Sequence, residues 1–437
     1  MGLNASGSNS LEELKSVEPV CGHVAVALND LILVHGGYRV VGDEERFRDP
    51  ANLYIFHTLS RRWFVVKTSG DIPASYTGAA AVLRGWDLWL FGGHRRHDSA
   101  DLFKLELHSL RWTSIHPNGP KPSPRNKHAG WLYDDKLYFF GGYGPKLGRN
   151  ECLMEEGQYA VQPDGALYPV ILNGGNQVLL TEAAWNNQLL LFDPDQLAWR
   201  NPPTSGDVPS PRAAFGVAEA GDGLVVLFGG RNPSGRLGDL YSLNMDTLTW
   251  TRRDDPTTST SSTAQQQPSR PIGRSWTSLT KVEKNRLVLY GGFTTNNEPL
   301  SDAWALDTRS WLWQPLPTGL SRPKPRLWHS AVMARNCLYV HGGATCNFLN
   351  GVAIADDGSD YSADVLEIYC GLVPRLSDQC LRLLEVAWKE GWIEEAGWSV
   401  SGVLAAVPRS LRPSLEALFG LPFPFHFSPM AIAQRLA

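Results

Sequence analysis

A chain of 437 residues with a formal net charge of −4 and a pI near 6.3 carries no general basic field, which excludes bulk binding to nucleic acid or to an anionic membrane surface. The length allows two or three average domains or one large repeat array, and no apolar run of about 18 residues is present to span a membrane. The six cysteines, Cys21, Cys152, Cys337, Cys346, Cys370 and Cys380, show neither CxxC pairs nor metal-ligand spacing, so they read as reduced thiols of a cytoplasmic or nuclear protein that needs no metal or cofactor.

Residues 1–17 read as a flexible N-terminal tail. Met1-Gly2-Leu3-Asn4-Ala5-Ser6 fits the M-G-x-x-x-[ST] acylation pattern and fits a plain disordered tail equally well. From Pro19 onward three markers recur in step. Short apolar strands close on double glycines at Gly36-Gly37, Gly92-Gly93, Gly141-Gly142, Gly229-Gly230, Gly291-Gly292 and Gly342-Gly343. Their separations are 56, 49, 88, 62 and 51 residues, near a period of about 50. Trp63, Trp112, Trp199, Trp250 and Trp311 each follow a later strand and turn, where a large indole covers the outer part of its unit. Before each double-glycine strand stands an opening segment, PVCGH, PASYT, PRNKH, PRAAF, IGRSWT or PRLWH, which leads into the innermost strand.

Six openings, six double glycines and five tryptophan strands resemble a six-bladed kelch β-propeller over residues 18–370. Blade six has VLEIYC at 365–370 but no tryptophan strand after it, so another segment completes it. Residues 145–184 read as a long loop inserted in blade three, and 254–270 (DDPTTSTSSTAQQQPSR) as a polar low-complexity loop with nothing to bury.

In an antiparallel blade the loop from strand two to three lies on the same face as the loop leading into the next blade. Arg231 and Arg236 fall on the first kind of loop, in FGGRNPSGR; Ser275 and Trp276, like Lys127 and Trp328, fall on the second. Tyr38 and Trp185 belong to that face too. A small cationic centre among aromatic rings suits a peptide or small anion with apolar neighbours. Solvated surface charge is the other reading of a loop arginine. Arg125, Arg212, Arg274 and Arg326 recur from blade to blade and read as structural, paired with a neighbouring blade's carboxylate. His23, His128 and His329 share one repeat position and read as core or channel residues rather than metal ligands.

Residues 371–437 change character. LSDQCLRLLEVAWKEGW sets Leu376, Cys380, Leu384 and Trp388 at helical spacing, and VPRSLRPSLEALF repeats apolar residues after Pro408. Leu376, Cys380 and Leu384 resemble an elongin-binding BC box, and Val407, Pro408, Leu411 and Leu415 resemble the cullin-2 box that follows it. An all-β six-bladed kelch propeller with a short C-terminal α-helical BC-box/cullin-box tail is similar to the kelch-domain substrate receptors of cullin-2 ubiquitin ligases, the branch reading C-terminal diglycine degrons. GGR-x4-R, GRSW and RLWH carry that likeness. It implies a non-catalytic subunit with client C-termini, elongin B/C and cullin-2 as partners. It implies that Arg231, Arg236 and Ser275 hold a terminal carboxylate, with Tyr38, Lys127, Trp185, Trp276 and Trp328 lining the pocket. A kelch scaffold for protein–protein interaction without ligase recruitment is the rival. An enzyme is disfavoured, since no copper constellation and no convincing acid/base pair is present.

Overall fold

The computed structural model describes residues 11–145, 153–154, 159–161, 167–173, 176–179, 183–254, 270–316, 324–346, 360–368 and 370. Expectations for Gly2, for 255–269 and for the tail residues Leu376, Cys380, Leu384, Val407, Pro408, Leu411 and Leu415 lie outside these. Among the described residues there is no helix; strands build six antiparallel blades.

Blade one pairs Val24–Leu28, Leu31–His35, Asn52–His57 and Arg62–Lys67 in succession. Blades two to five repeat this order, ending on Arg111–Ile115, Ala198–Arg200, Thr249–Arg252 and Leu312–Leu316. Three strands of blade six are described: Ser330–Ala334, Cys337–His341 and Val365–Ile368. The second strands are the apolar runs of the sequence, such as LVVLF at Leu224–Phe228, and they lie in the core. The first two strands are joined by tight turns. Asp134-Asp135 and Arg335-Asn336 both take positive φ at two successive positions, as a type I′ hairpin needs to match strand twist.

The 145–184 insertion is more than a loop. Tyr159–Val161, Leu167–Asn173 and Asn176–Leu179 form a three-stranded antiparallel sheet, and Ala183–Trp185 returns to pair with Tyr143–Pro145.

The blade-five tryptophan marker is displaced by two residues. Trp63, Trp112, Trp199 and Trp250 each stand second in their strand, opposite Phe56, Leu105, Phe192 and Leu243, and the residue so placed in blade five is Trp313, opposite Leu306. Trp311 instead takes the left-handed turn position held elsewhere by Arg61, Leu110, Leu197 and Leu248. The indoles also do something other than cover an outer edge. Each packs on the residue just before the double glycine of the preceding blade: His35 on Trp112, Phe91 on Trp199, Phe140 on Trp250 and Phe228 on Trp313, with centroids 5.1, 4.8, 4.9 and 5.2 Å apart. His341 of blade six meets Trp63 of blade one at 4.8 Å, so the same contact closes the ring. Such aromatic pairs add about 0.5–1.5 kcal/mol each beyond area burial.

Linkers between blades blunt the outer edges. Ser69–Gly70 and Ser205–Gly206 run parallel to Arg111-Trp112 and Thr249-Trp250, while Glu12–Leu14 pairs antiparallel with the last strand of blade one. Covered edges do not recruit stray strands.

The recurring arginines are structural, but the partners given for Arg212, Arg274 and Arg326 among the described residues lie in their own blade. Arg212 is fully buried; it donates to the Gly229 carbonyl at 3.0 Å and bidentately to Asp239 at 2.6 and 2.9 Å. Arg274 repeats this with Gly291 and Asp302, and Arg326 with the carbonyl of Gly342. In blade two the Tyr76 hydroxyl donates to Asp101 in place of the guanidinium. The arginine thus ties the opening segment to the double glycine and to the start of strand three.

His23, His128 and His329 are buried, and burial is the leading cause that lowers their pKa; His128 and His329 fall to about 3. A histidine neutral in the fold and basic when unfolded contributes stability that is present above the unfolded value of about 6.5 and is lost as pH falls toward the folded value. Unfolding midpoints in urea should therefore drop between pH 6.5 and 5, where ordinary carboxylates stay ionised. A flat midpoint across that window would contradict the assignment.

Candidate functional site

One backbone feature sets the geometry of the propeller's upper face. Just before each inner strand stands a residue with positive φ: Gly22, Gly78, Lys127, Ala214, Trp276 and Trp328. Their peptides form a closed ring. Gly78 N–H donates to Gly22 O, Lys127 to Gly78, Ala214 to Lys127, Trp276 to Ala214, Trp328 to Trp276 and Gly22 to Trp328, at 2.7–3.0 Å. Four side chains are held in a conformation L-residues resist because the ring satisfies their backbone. It also aims Lys127, Trp276 and Trp328 at one space.

Above this collar lies a cavity of about 440 Å³. Tyr38, Lys127, Trp185, Arg231, Ser275, Trp276 and Trp328, all singled out from the sequence, border it together. Arg236 stands one step behind: its Nε donates to Ser275 Oγ at 3.1 Å, its Nη1 to Asn297 Oδ1 at 3.4 Å, and its guanidinium lies 4.4 Å from the Phe293 ring centroid. Arg231 and Arg236 face each other across a two-rung hairpin, so their backbones are fixed together. The Arg231 side chain is exposed and has no ion-pair or hydrogen-bond partner among the described residues.

The walls are aromatic. Trp276 stacks on Trp328 at 5.5 Å, Tyr38 meets Trp328 edge-on at 5.8 Å, and Tyr143 meets Trp185 edge-on at 5.0 Å. Lys127 Nζ donates to Asn126 Oδ1 at 2.6 Å and lies 5.3 Å from the Trp328 centroid. Burial lowers the Lys127 pKa, opposed by Asp98 and reinforced by Arg231. Burial and the Arg231 charge also lower that of Arg236, which as a guanidinium stays protonated. The exposed Arg231 charge disfavours the half-buried Arg236 cation, a cost that an incoming anion relieves. Ser275, fully buried, accepts from Arg236 through its Oγ, so the two form one polar unit at the cavity wall.

Reasoning from sequence missed Glu45, Phe47, Thr77, His94, Tyr143 and Ala213, which also line the cavity. A signal for several of them was available. The residue after each double glycine pairs with the residue before the collar: Tyr38 with Cys21, His94 with Thr77, Tyr143 with Asn126, Arg231 with Ala213, Phe293 with Ser275, Ala344 with Leu327. That position borders the cavity from blades one to four, whichever residue fills it. Among the described residues no group of His, Cys, Asp and Glu is placed to hold a metal ion, and no helix is long and apolar enough to cross a membrane.

The KLHDC2/KLHL20/DRC7 Kelch-repeats domain matches residues 22–257 and 253–366. Kelch domain-containing protein 2 of Bos taurus is 34% identical over 359 residues, covering 77% of this chain and 80% of that protein. Kelch domain-containing protein 1 of Homo sapiens is 32% identical over 336 residues, covering 75% and 76%. The solved "Structure of YjhT" superposes with a TM-score of 0.54 at 16% identity, over 81% of this chain and 96% of that one, and shows a common fold.

Proposed function

The chain belongs to the KLHDC2/KLHL20/DRC7 kelch-repeat family, and we propose that it is a non-catalytic substrate receptor of a cullin-2 ubiquitin ligase whose propeller captures the C-terminal carboxylate of client proteins ending in diglycine. The observation that carries this reading is the unpartnered Arg231 beside the Arg236–Ser275 pair, at one wall of an aromatic cavity. A carboxylate entering there meets one free guanidinium, a serine hydroxyl and a second guanidinium behind it. Charge-assisted hydrogen bonds of this kind contribute about 1.5–3 kcal/mol each. Tyr38, Lys127, Trp185, Trp276 and Trp328 narrow the approach, which favours a terminus without side chains. Support for recruitment comes from the sequence of the tail: Leu376, Cys380 and Leu384 engage elongin B/C, and Val407, Pro408, Leu411 and Leu415 engage cullin-2.

Two binding measurements test the two halves. Purified full-length protein should retain elongin B/C in a pull-down, and replacing Leu376 and Leu384 with Asp should abolish it; undiminished retention would remove the assigned box. A peptide ending in Gly-Gly should bind, and the same peptide extended by one C-terminal alanine should not. Equal affinity for both would remove the diglycine reading.

A further inference from the structure

Blade one raises a hairpin on the cavity rim, Tyr38–Val41 against Glu44–Phe47. Tyr38 and Phe47 form its lowest rung, with rings stacked at 5.5 Å, and Glu45 sits opposite Val40 two rungs higher. Tyr38, Glu45 and Phe47 all border the cavity, so the carboxylate stands on the same wall above the aromatic pair. Glu44 pairs with Arg46 at 3.6 Å, whereas Glu45 has no ion-pair or hydrogen-bond partner among the described residues.

The collar fixes where this wall lies. Gly22 of blade one and Ala214 of blade four are three steps apart on a closed ring of six, so the Glu45 hairpin faces the Arg231–Arg236 hairpin across the cavity. The cavity is bipolar: free cation on one side, free anion on the other. A chain whose terminal carboxylate sits at Arg231 extends past the opposite wall as it leaves. Arg95 is the competing charge on this side; it lies 5.3 Å from the Phe47 centroid but is not among the lining residues.

We propose that Glu45 is a specificity determinant, selecting client C-termini that carry a lysine or arginine upstream of the terminal carboxylate. This rests on the reading of the cavity as a C-terminus receptor. An exposed carboxylate–ammonium pair is weak, so its signature is a ratio rather than an absolute affinity.

The test uses the full-length protein and diglycine-ended peptide acids bearing Lys or Glu in turn at each of the third to eighth positions from the C-terminus. On the wild type, at one or more positions, the Glu peptide should bind about three- to tenfold more weakly than the Lys peptide. The ratio should fall to near unity in Glu45→Gln and invert in Glu45→Lys. A ratio near unity everywhere on the wild type, or a Lys preference surviving Glu45→Gln, would overturn the inference. A Glu preference on the wild type would overturn it too and assign the rim to Arg95. If no diglycine acid binds, the receptor reading falls and the inference with it, whereas diglycine binding without charge preference removes the inference alone.

Discussion

Replacing Arg231 with alanine should weaken a diglycine-ended peptide about ten- to hundredfold, the loss of one charge-assisted interaction of about 1.5–3 kcal/mol. The substitution should leave the unfolding midpoint in place, because the side chain is exposed and makes no described contact that the fold depends on. Arg236→Ala should cost at least as much by a different route. It removes a cation and also the donor that holds Ser275 Oγ at 3.1 Å and reaches Asn297. Arg236→Lys should rescue little, since an ammonium cannot bond Ser275 and Asn297 as a planar fork while stacking on Phe293. Peptide affinities within twofold of wild type for either alanine variant would show that the carboxylate is held elsewhere.

Asp239→Ala should be the most destabilising single change of a polar residue in blade four, at about 3–5 kcal/mol, read as a shift of the urea midpoint. The aspartate takes two of the hydrogen bonds of Arg212, whose guanidinium is fully buried. Removing one partner strands the other charge without water, and that penalty exceeds what the pair contributes when intact. The double replacement Asp239→Ala with Arg212→Met should recover much of the loss, because no buried charge then remains unpaired. A single variant within about 0.5 kcal/mol of wild type would mean that the Gly229 carbonyl and Ser210 suffice for Arg212.

The blade count and the shared face of the site were legible in the sequence because they follow from the repeat. Double glycines mark chain exits with positive φ, as at Gly229 and Gly230, and strand alternation then places the loops. Where the sequence offers two equivalent signals the register is ambiguous. Trp311 and Trp313 stand two apart, and the four-residue turn, not the tryptophan, decides which enters the strand. The arginine pairing was misplaced for a related reason: Asp239 stands just before the third strand of blade four and Asp302 in the first half of the third strand of blade five, places whose contacts are set by the fold of one blade. Glu45, Asn297 and the sheet of the blade-three insertion were not legible. They lie on excursions whose length differs from blade to blade, so no repeat aligns them.

The central claim is that the propeller reads a terminal carboxylate, and a matched pair of diglycine-ended peptides, one with a free acid and one amidated, tests it most directly. Titrated against the full-length protein at constant salt, the acid should bind at least about a hundredfold more tightly, since the amide forfeits the charge that the proposed site of Arg231, Arg236 and Ser275 is to answer. Equal affinity for acid and amide would contradict the account.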